Sequence, residues 1–479
     1  MTAPEPSSRK DQAVRGSMWT LIGYGGSQVL RLGSNLVLAR LLFPEAFGLM
    51  ALVNVFLHGL QMFSDVGIGP SIIQNKRGQE PAFLRTAWTI QIGRGVLLWL
   101  ATCALALPVA AFFSANDPMA EMLTVMLPVA GLTALIGGFT STGVFLLNRK
   151  MALGRVTALE LIPQVFSIAV MIGWAWVSRD VWALVAGGLA FGLVRVLLSH
   201  LWNPGPGDRP GWDRTAGIEL FRFGKWVFLS TLVTFLAAHL DKLMLGRLLT
   251  MAELGVYSIG LTFARVAIHV SSRLSSTVIF PLLSRLQDDP PRLVAACLKA
   301  RAPVLWLSGA VCAVFALGAP LFFGTLYDNR YADAGRISQW LALFTWTSIL
   351  VSSMDRIPLA LGRPKVLFSA NLLTTCAMVL ALPGYLALGL PGFILGMATA
   401  NLLAHVFLLS SLPEQNMVMA RQSALFTVGL LAYTLPLALL LDQVSTAAPA
   451  LTYALLVCCA AAPPLLLGAW KAWGAIRKR

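Results

Sequence analysis

The 479-residue chain is 57% hydrophobic and only 12% charged, with a mean hydropathy of +0.74. A soluble globular protein of this length needs far more polar surface to cover its core, so that class is excluded. The net charge of +15 has a membrane explanation before a nucleic-acid one, because cytoplasmic loops collect Lys and Arg; no nucleic-acid partner is expected.

Apolar runs of roughly 20 residues, each long enough to cross about 30 Å of hydrocarbon as a helix, recur throughout. Alternation of period two is absent, which argues against a transmembrane β-barrel. The expected fold is an all-α polytopic membrane protein with about fourteen transmembrane helices. In chain order the spans are 17–40, 46–72, 86–113, 121–147, 155–177, 181–202, 221–246, 254–283, 301–324, 334–360, 365–388, 391–412, 422–441 and 449–470. The first 16 residues are polar and carry no signal-peptide pattern, so the first span is expected to be retained.

The longest break, "NPGPGDRPGWDRTAGIELFRFGK" at 203–225, is rich in Pro and Gly and reads as a linker between halves. This divides the chain into a cytoplasmic tail (1–16), an N-lobe of six spans (17–202), a linker (203–220), a C-lobe of six spans (221–412), two further spans (413–470) and a basic tail (471–479). With the N-terminus cytoplasmic, inside segments hold about 24 of the 36 Lys and Arg and outside loops about five. Both termini are then expected in the cytoplasm, and no outside loop is long enough for an extracytoplasmic catalytic domain.

Two hairpin turns resemble each other: "ARLLFPEAFGLM" (39–50) and "GRLLTMAELGVY" (246–257). An offset of 207 residues places Arg40, Leu41, Leu42 and Gly48 on Arg247, Leu248, Leu249 and Gly255, and Trp19 on Trp226. Six spans per copy carry both halves into the membrane in the same direction, so the expectation is a pair of parallel, pseudo-symmetric lobes. Arg40 and Arg247 break the scarcity of outside positive charge at matching positions. They are candidates for an outer gate latched through Glu45 or Glu253, beside the plainer reading of helix-end snorkelling.

Seven Lys or Arg residues fall within spans: Arg31, Arg94, Arg195, Lys242, Arg265, Arg273 and Arg356. Each costs about 2.5–3.5 kcal/mol at a helix centre and by default marks a functional lumen. Plainer readings exist: Arg31 and Arg195 snorkel, Arg94 and Lys242 reach an interface, and Asp355–Arg356 is solvated near a helix end. Polar residues nonetheless recur at helical spacing, as in Asn54, His58, Gln61 and Asp65, or in Thr262, Arg265, His269, Ser272 and Ser276. Thr345, Ser348, Ser352 and Asp355 form a third stripe, and Glu160, Gln164 and Ser167 a fourth. Four polar faces suit a shared aqueous cavity better than lipid.

That cavity is expected to be net cationic, drawing anions and able to hold phosphate oxygens in guanidinium forks. Arg31, Arg94, Arg265, Arg273, Lys242 and Arg356 are the substrate-binding candidates. His58, Asp65, Asp241, His269 and Asp355 are candidates for carrying a coupling proton or balancing charge. No helical metal motif, Walker lysine loop or nucleophile elbow occurs in the spans, so neither enzyme activity nor a cofactor is expected. The six cysteines match no metal-ligand spacing and read as small packing residues.

The segment "LGSNLVLARLLFPEAFGLMALVNVFLHGLQMFSDVGIGPSIIQ" (32–74) resembles the N-terminal signature of bacterial polysaccharide and O-antigen flippases. "LDKLMLGRLLTMAELGVYSIG" (240–260) resembles its second-half counterpart, and the loops "LNRKMALGR" and "LGRPKV" extend the likeness. The resemblance implies the polysaccharide-transporter branch of the multidrug/oligosaccharidyl-lipid/polysaccharide exporter superfamily. It implies flipping of an undecaprenyl-diphosphate-linked oligosaccharide across the bacterial inner membrane by alternating access. Membrane lipids are implied partners, as are a polysaccharide polymerase and glycosyltransferases, and the last two spans would help form a groove for the lipid tail. A multidrug or cation exporter is the nearest alternative, but cationic drugs call for acidic or aromatic lining. A membrane polymerase or glycosyltransferase is the more distant one and would need a sizeable outside loop.

Overall fold

In the computed structural model, the backbone is described for residues 9–477 apart from 65–66, 276–278, 280–281, 284–285, 287–289, 412–415 and 448–449. Among the described residues the chain is helical throughout and helices occupy every predicted span. They are α1 (Arg9–Leu41), α2 (Pro44–Phe63), α3 (Ile68–Gln74), α4 (Pro81–Ser114), α5 (Leu123–Gly138), α6 (Gly143–Arg149), α7 (Leu153–Ser178), α8 (Trp182–Leu201) and α9 (Arg214–Leu248). There follow α10 (Met251–Leu274), α11 (Pro290–Leu326), α12 (Ala332–Ser352), α13 (Arg356–Ala360), α14 (Pro364–Ala377), α15 (Ala381–Leu388), α16 (Leu390–Ser410), α17 (Asn416–Ala447) and α18 (Ala450–Arg477).

Ten described helices are long and apolar enough to cross a membrane. α12 is not one of them, because "ADAGRISQWLALFTWTSILVS" carries Thr, Ser and Gln along its length. It packs against α11 and α16 and buries Thr345, Trp346 and Thr347, so protein rather than lipid solvates its polar groups. Among the described residues the eleventh predicted span passes through a 3-10 turn at Met378–Leu380, and three others are broken outright. The second ends at Phe63, capped by Ser64, before the short α3. The fourth breaks between α5 and α6, and the tenth between α12 and α13.

The helices form two compact units: Met1–Phe235 with Lys242–Gly255, and Leu236–Asp241 with Val256–Arg479. These do not coincide with the sequence halves, and α9 is the reason. Asp213 caps its start, accepting hydrogen bonds from the Thr215 and Ala216 amides at 2.8 and 3.0 Å. The first turns then bury Ala216 and Leu220 against Ile68, Ile72, Phe83, Leu84, Ala87 and Leu146. The preceding segment is tied to the first unit, since the Asp208 carboxylate accepts from the Thr142 amide and hydroxyl, and Asp213 N–H donates to Thr86 Oγ1. Arg77 meets Glu80, Asp213 and Glu219 at 2.9, 3.5 and 3.2 Å. Residues 203–220 are thus a strap bound along the first unit.

The two related hairpin turns, the second as far as Gly255, lie together within the first unit. Pro44 opens α2, where its missing N–H costs nothing and its fixed φ suits the helix. Thr250 and Glu253 open α10 with a capping box, the Thr250 amide donating to Glu253 Oε2 at 2.8 Å and the Glu253 amide to Thr250 Oγ1 at 3.2 Å. Asp117 Oδ2 accepts from Met251 N–H at 2.8 Å, and Asn116 Nδ2 donates to the Leu249 carbonyl at 2.9 Å. The helix starts cross so closely that a Cβ on Gly48 would run into the Met251 carbonyl, and a Cβ on Gly255 into the Pro44 carbonyl. The 207-residue offset maps Pro44 onto Met251 as well as Gly48 onto Gly255. It therefore exchanges the two contacts, so the internal repeat is visible as a local two-fold.

Candidate functional site

Within the first unit, α2, α4, α5 and α8 surround a cavity of about 540 Å³. Its lining includes Gln61, Gln91, Arg94, Thr133, Thr140 and Arg195 and, among the described residues, no Asp or Glu. Gly95, Gly137, Gly138, Gly188 and Gly192 supply much of the wall, and a Cβ on Gly137 would meet nothing within 4 Å.

Both cations are oriented by α-helical neighbours. Arg94, on α4, donates from Nε to Ser64 Oγ at 2.8 Å and from Nη2 to the Gln61 carbonyl at 2.6 Å. It therefore sits at the C-terminus of α2, where the helix dipole favours a positive charge. Arg195, on α8, lies with its guanidinium carbon 6.0 Å from the Phe191 ring centroid, a cation–π distance. Its Nε is buried and has no hydrogen-bond partner among the described residues. Gln91 donates from Nε2 to the carbonyls of Gly138 and Thr140 at 3.1 and 2.7 Å, occupying acceptors at the C-terminal end of α5. That end would otherwise present partial negative charge to the cavity.

Of the substrate-binding candidates whose side chains are described, only Arg94 lines this cavity. Arg31 is exposed on α1. Lys242 belongs to the first unit, one residue beyond the division that leaves Asp241 in the second. Arg265, in the second unit, donates from Nη2 to the Ala238 carbonyl at 2.9 Å, one turn of α9 before Asp241. Arg356 pairs with its neighbour Asp355 at 3.3 Å. The Asp65 position and the Arg273 and Ser276 side chains lie outside the described residues, as do the Trp19 and Trp226 side chains.

Among the charge-balancing candidates, Asp241 is 2% exposed and accepts a hydrogen bond from Tyr257 O–H at 2.9 Å. Its Oδ1 has no hydrogen-bond partner among the described residues. Arg265 and Asp241 are thereby brought to one neighbourhood of the second unit. His58 and His269 are exposed on α2 and α10. At the hairpin turns, Glu253 is committed to the capping box of α10, while Arg247 lies 5.8 Å from the Phe112 ring centroid.

The polar stripes divide by what they meet. Asn54, His58 and Gln61 are exposed together on α2. On α12, by contrast, Thr345 bonds back to the Leu341 carbonyl and Ser348 accepts from Asn401 Nδ2 at 2.9 Å. On α7, Gln164 donates to the Ser27 carbonyl and Ser167 to the Gly187 carbonyl, leaving Glu160 exposed. Shared spacing identified a face in each case, and the neighbours decided its use.

Sequence reasoning left two arginines aside. Arg195 was read as snorkelling, although Gly188, Gly192 and Arg195 step by four and three along α8 and so share one face. Arg301, at the edge of a predicted span, is 0% exposed in the second unit. It donates to Ser353 Oγ at 2.8 Å, Ser423 Oγ at 3.0 Å and Gln422 Oε1 at 3.4 Å, and His405 Nε2 meets Ser423 Oγ at 3.0 Å.

Residues 37–336 match the family described as "Polysaccharide biosynthesis protein". The lipopolysaccharide biosynthesis protein WzxC of Escherichia coli K12 is 25% identical over 298 residues, which cover 60% of this chain and 57% of that protein. The succinoglycan biosynthesis transport protein ExoT of Rhizobium meliloti is 23% identical over 380 residues, covering 76% of this chain and 72% of ExoT. Among solved structures, the lipid II flippase MurJ in an inward closed conformation superposes with a TM-score of 0.69 at 13% identity, covering 97% of this chain and 98% of MurJ. An inward-facing multidrug resistance MATE transporter superposes with a TM-score of 0.62 at 14% identity, covering 82% and 96%. At those identities the structural likeness establishes the fold.

Proposed function

Because the chain belongs to the polysaccharide biosynthesis protein family, we propose that it is a flippase. It moves an undecaprenyl-diphosphate-linked oligosaccharide repeat unit across the bacterial inner membrane by alternating access, for exopolysaccharide or lipopolysaccharide assembly. The observation that carries this reading is the cavity walled by α2, α4, α5 and α8, which holds two arginines and, among the described residues, no carboxylate. Such a lining in low dielectric attracts an anionic headgroup and rejects a cationic drug, which ranks the multidrug exporter second. The names of WzxC and ExoT, one in lipopolysaccharide and one in succinoglycan biosynthesis, support the substrate class.

Transport of this kind makes and breaks no covalent bond, and the protein acts as a carrier rather than a catalyst. Both termini face the cytoplasm, in keeping with the distribution of Lys and Arg. The substrate reaches it from membrane glycosyltransferases and leaves it for a polymerase. Asp241, with a buried carboxylate oxygen and Tyr257 and Arg265 close by, is the charge-balancing group we favour.

Expression in a flippase-null strain whose glycosyltransferases are intact tests the function. Restored surface polysaccharide is expected, together with movement of a fluorescent lipid-diphosphate sugar in proteoliposomes. Resistance to cationic drugs without polysaccharide would install the exporter reading instead.

A further inference from the structure

In the second unit, α11, α12 and α17 enclose a groove of about 480 Å³. We propose that it binds one zwitterionic phospholipid, with an acyl chain along the groove, the phosphate at Arg336 and the ammonium group of an ethanolamine headgroup at Asp442. This occupant is a resident lipid rather than the transported one, so the site stands independently of the flippase reading.

Three observations carry it. First, the groove has the length of one leaflet. From Arg336 to Trp346 on α12, and from Leu430 to Asp442 on α17, the lining extends about 15–18 Å at roughly 1.5 Å per residue. That is about half of a hydrocarbon core roughly 30 Å thick. Trp346 Nε1 donates to Thr427 Oγ1 at 2.9 Å, which joins the two helices beside Leu430 and closes the deep end. The helices run antiparallel from that bond, so Arg336 and Asp442, both exposed, share the opposite mouth.

Second, the interior is already satisfied. Pro320, inside α11, has no N–H to offer the Ala316 carbonyl, and Gln339 Nε2 donates to that carbonyl at 3.2 Å instead. Thr434 turns its hydroxyl back onto the Leu430 carbonyl at 2.8 Å. The remaining wall is apolar, with Trp340, Leu435 and Leu439 left 42%, 56% and 66% exposed. Third, the mouth carries both signs. An apolar groove alone selects little in a bilayer, because lipid tails are all equally apolar; selection falls to the charges. Among the described lining residues these are Arg336 and Asp442. A guanidinium fork suits a phosphate, and a carboxylate accepts from an ammonium group. Phosphatidylglycerol has no cation to give Asp442, and a prenyl diphosphate brings further negative charge toward it.

The purified full chain in detergent is mixed with dioleoyl phosphatidylethanolamine, dioleoyl phosphatidylglycerol or undecaprenyl phosphate, and retained lipid is read by native mass spectrometry. Arg336→Gln and Asp442→Asn are compared with wild type. Leu435→Trp narrows the groove at an exposed position without touching a charge, and Arg179→Gln, on an exposed turn after α7, is the charge control.

Wild type is expected to retain phosphatidylethanolamine about two- to fivefold better than phosphatidylglycerol, the scale of one exposed charge pair. Asp442→Asn is expected to lose that preference, Arg336→Gln and Leu435→Trp to hold both phospholipids more weakly, and Arg179→Gln to match wild type. Undecaprenyl phosphate is expected not to displace phosphatidylethanolamine. The groove is overturned if Arg336→Gln and Leu435→Trp both retain lipid as wild type does. The headgroup assignment is overturned if wild type holds the two phospholipids equally or Asp442→Asn keeps the preference. Displacement by undecaprenyl phosphate gives the groove to a prenyl chain and removes the resident phospholipid. Restored polysaccharide in the flippase-null strain without lipid preference keeps the flippase and removes the site. Lipid preference without restored polysaccharide keeps the site and removes the flippase.

Discussion

Arg195 in the first unit and Arg301 in the second both sit in apolar helices without a carboxylate hydrogen-bonded to them among the described residues, yet their surroundings are opposite. Arg301 is sealed off, with hydroxyls of Ser353 and Ser423 and the Gln422 amide oxygen turned onto its guanidinium from two other helices. Ser423 in turn meets His405, and the adjoining faces carry the Asn401–Ser348 and Trp346–Thr427 bonds. Arg195 faces open space, glycine walls and an aromatic ring. A charge in a membrane helix is therefore a site only when its neighbours leave it unsatisfied; where they satisfy it, it fastens helices.

The contrast is broken most directly at Arg301. Arg301→Ala leaves a cavity and strands the Gln422 oxygen, and is expected to destabilise the protein by about 3 kcal/mol or more, read as a lowered unfolding temperature in detergent. Arg195→Ala removes no protein–protein hydrogen bond made by its Nε and is expected to change stability by no more than about 0.5 kcal/mol. Equal losses in the two variants would erase the distinction.

The next largest effect is expected where the backbone is tightest. Gly48→Ala and Gly255→Ala each push a Cβ against a carbonyl, and each is expected to cost about 1–3 kcal/mol. Gly137→Ala, entering open space, should fall well below either, and urea unfolding of the three side by side checks the order. A matched loss at Gly48 and Gly255 sharpens the symmetry, and a large difference between them weakens it.

The strap supplies the smallest and most conditional effect. The Thr215 side chain, then the Ala216 amide, hold the Asp213 carboxyl down to about 2 from its ordinary 3.8. Because the folded value is the lower one, this group's stabilisation is fully present above about pH 4 and fades as pH falls toward 2. Asp213→Asn should thus unfold slightly earlier than wild type at neutral pH, with the gap closing across that interval.

Much of the architecture was legible because lipid imposes long apolar runs, and each of these carries a helix. The repeat was legible too, since Arg40, Gly48 and their counterparts keep one offset. The breaks after Phe63, Gly138 and Ser352 were not, because the interrupting stretches, such as Phe139–Thr142 and Ser353–Asp355, are only a few residues long and their polar groups also fit an in-span stripe. At the site, both arginines stood out as in-span charges, but Arg94 was a binding candidate despite its reach to an interface, whereas Arg195 was set aside as snorkelling. Only the packing of α8 against α5 shows that its face opens inward. Arg301 was hidden for another reason: its partners lie about fifty and more than one hundred residues away in sequence. Periodicity likewise assigned Thr345 and Ser348 to one face, but not that Asn401 would meet it.

The crossing at Gly48 and Gly255 has a further consequence. Residue 48 meets residue 251 while residue 255 meets residue 44, the reciprocal pattern of an interface between two identical subunits. The chain carries a homodimer contact folded into a single molecule, and each glycine is constrained by the copy of its own surroundings. A side chain acceptable at one turn must also be acceptable against the other, which makes this pair a place where two halves free to diverge in sequence still answer to one shape.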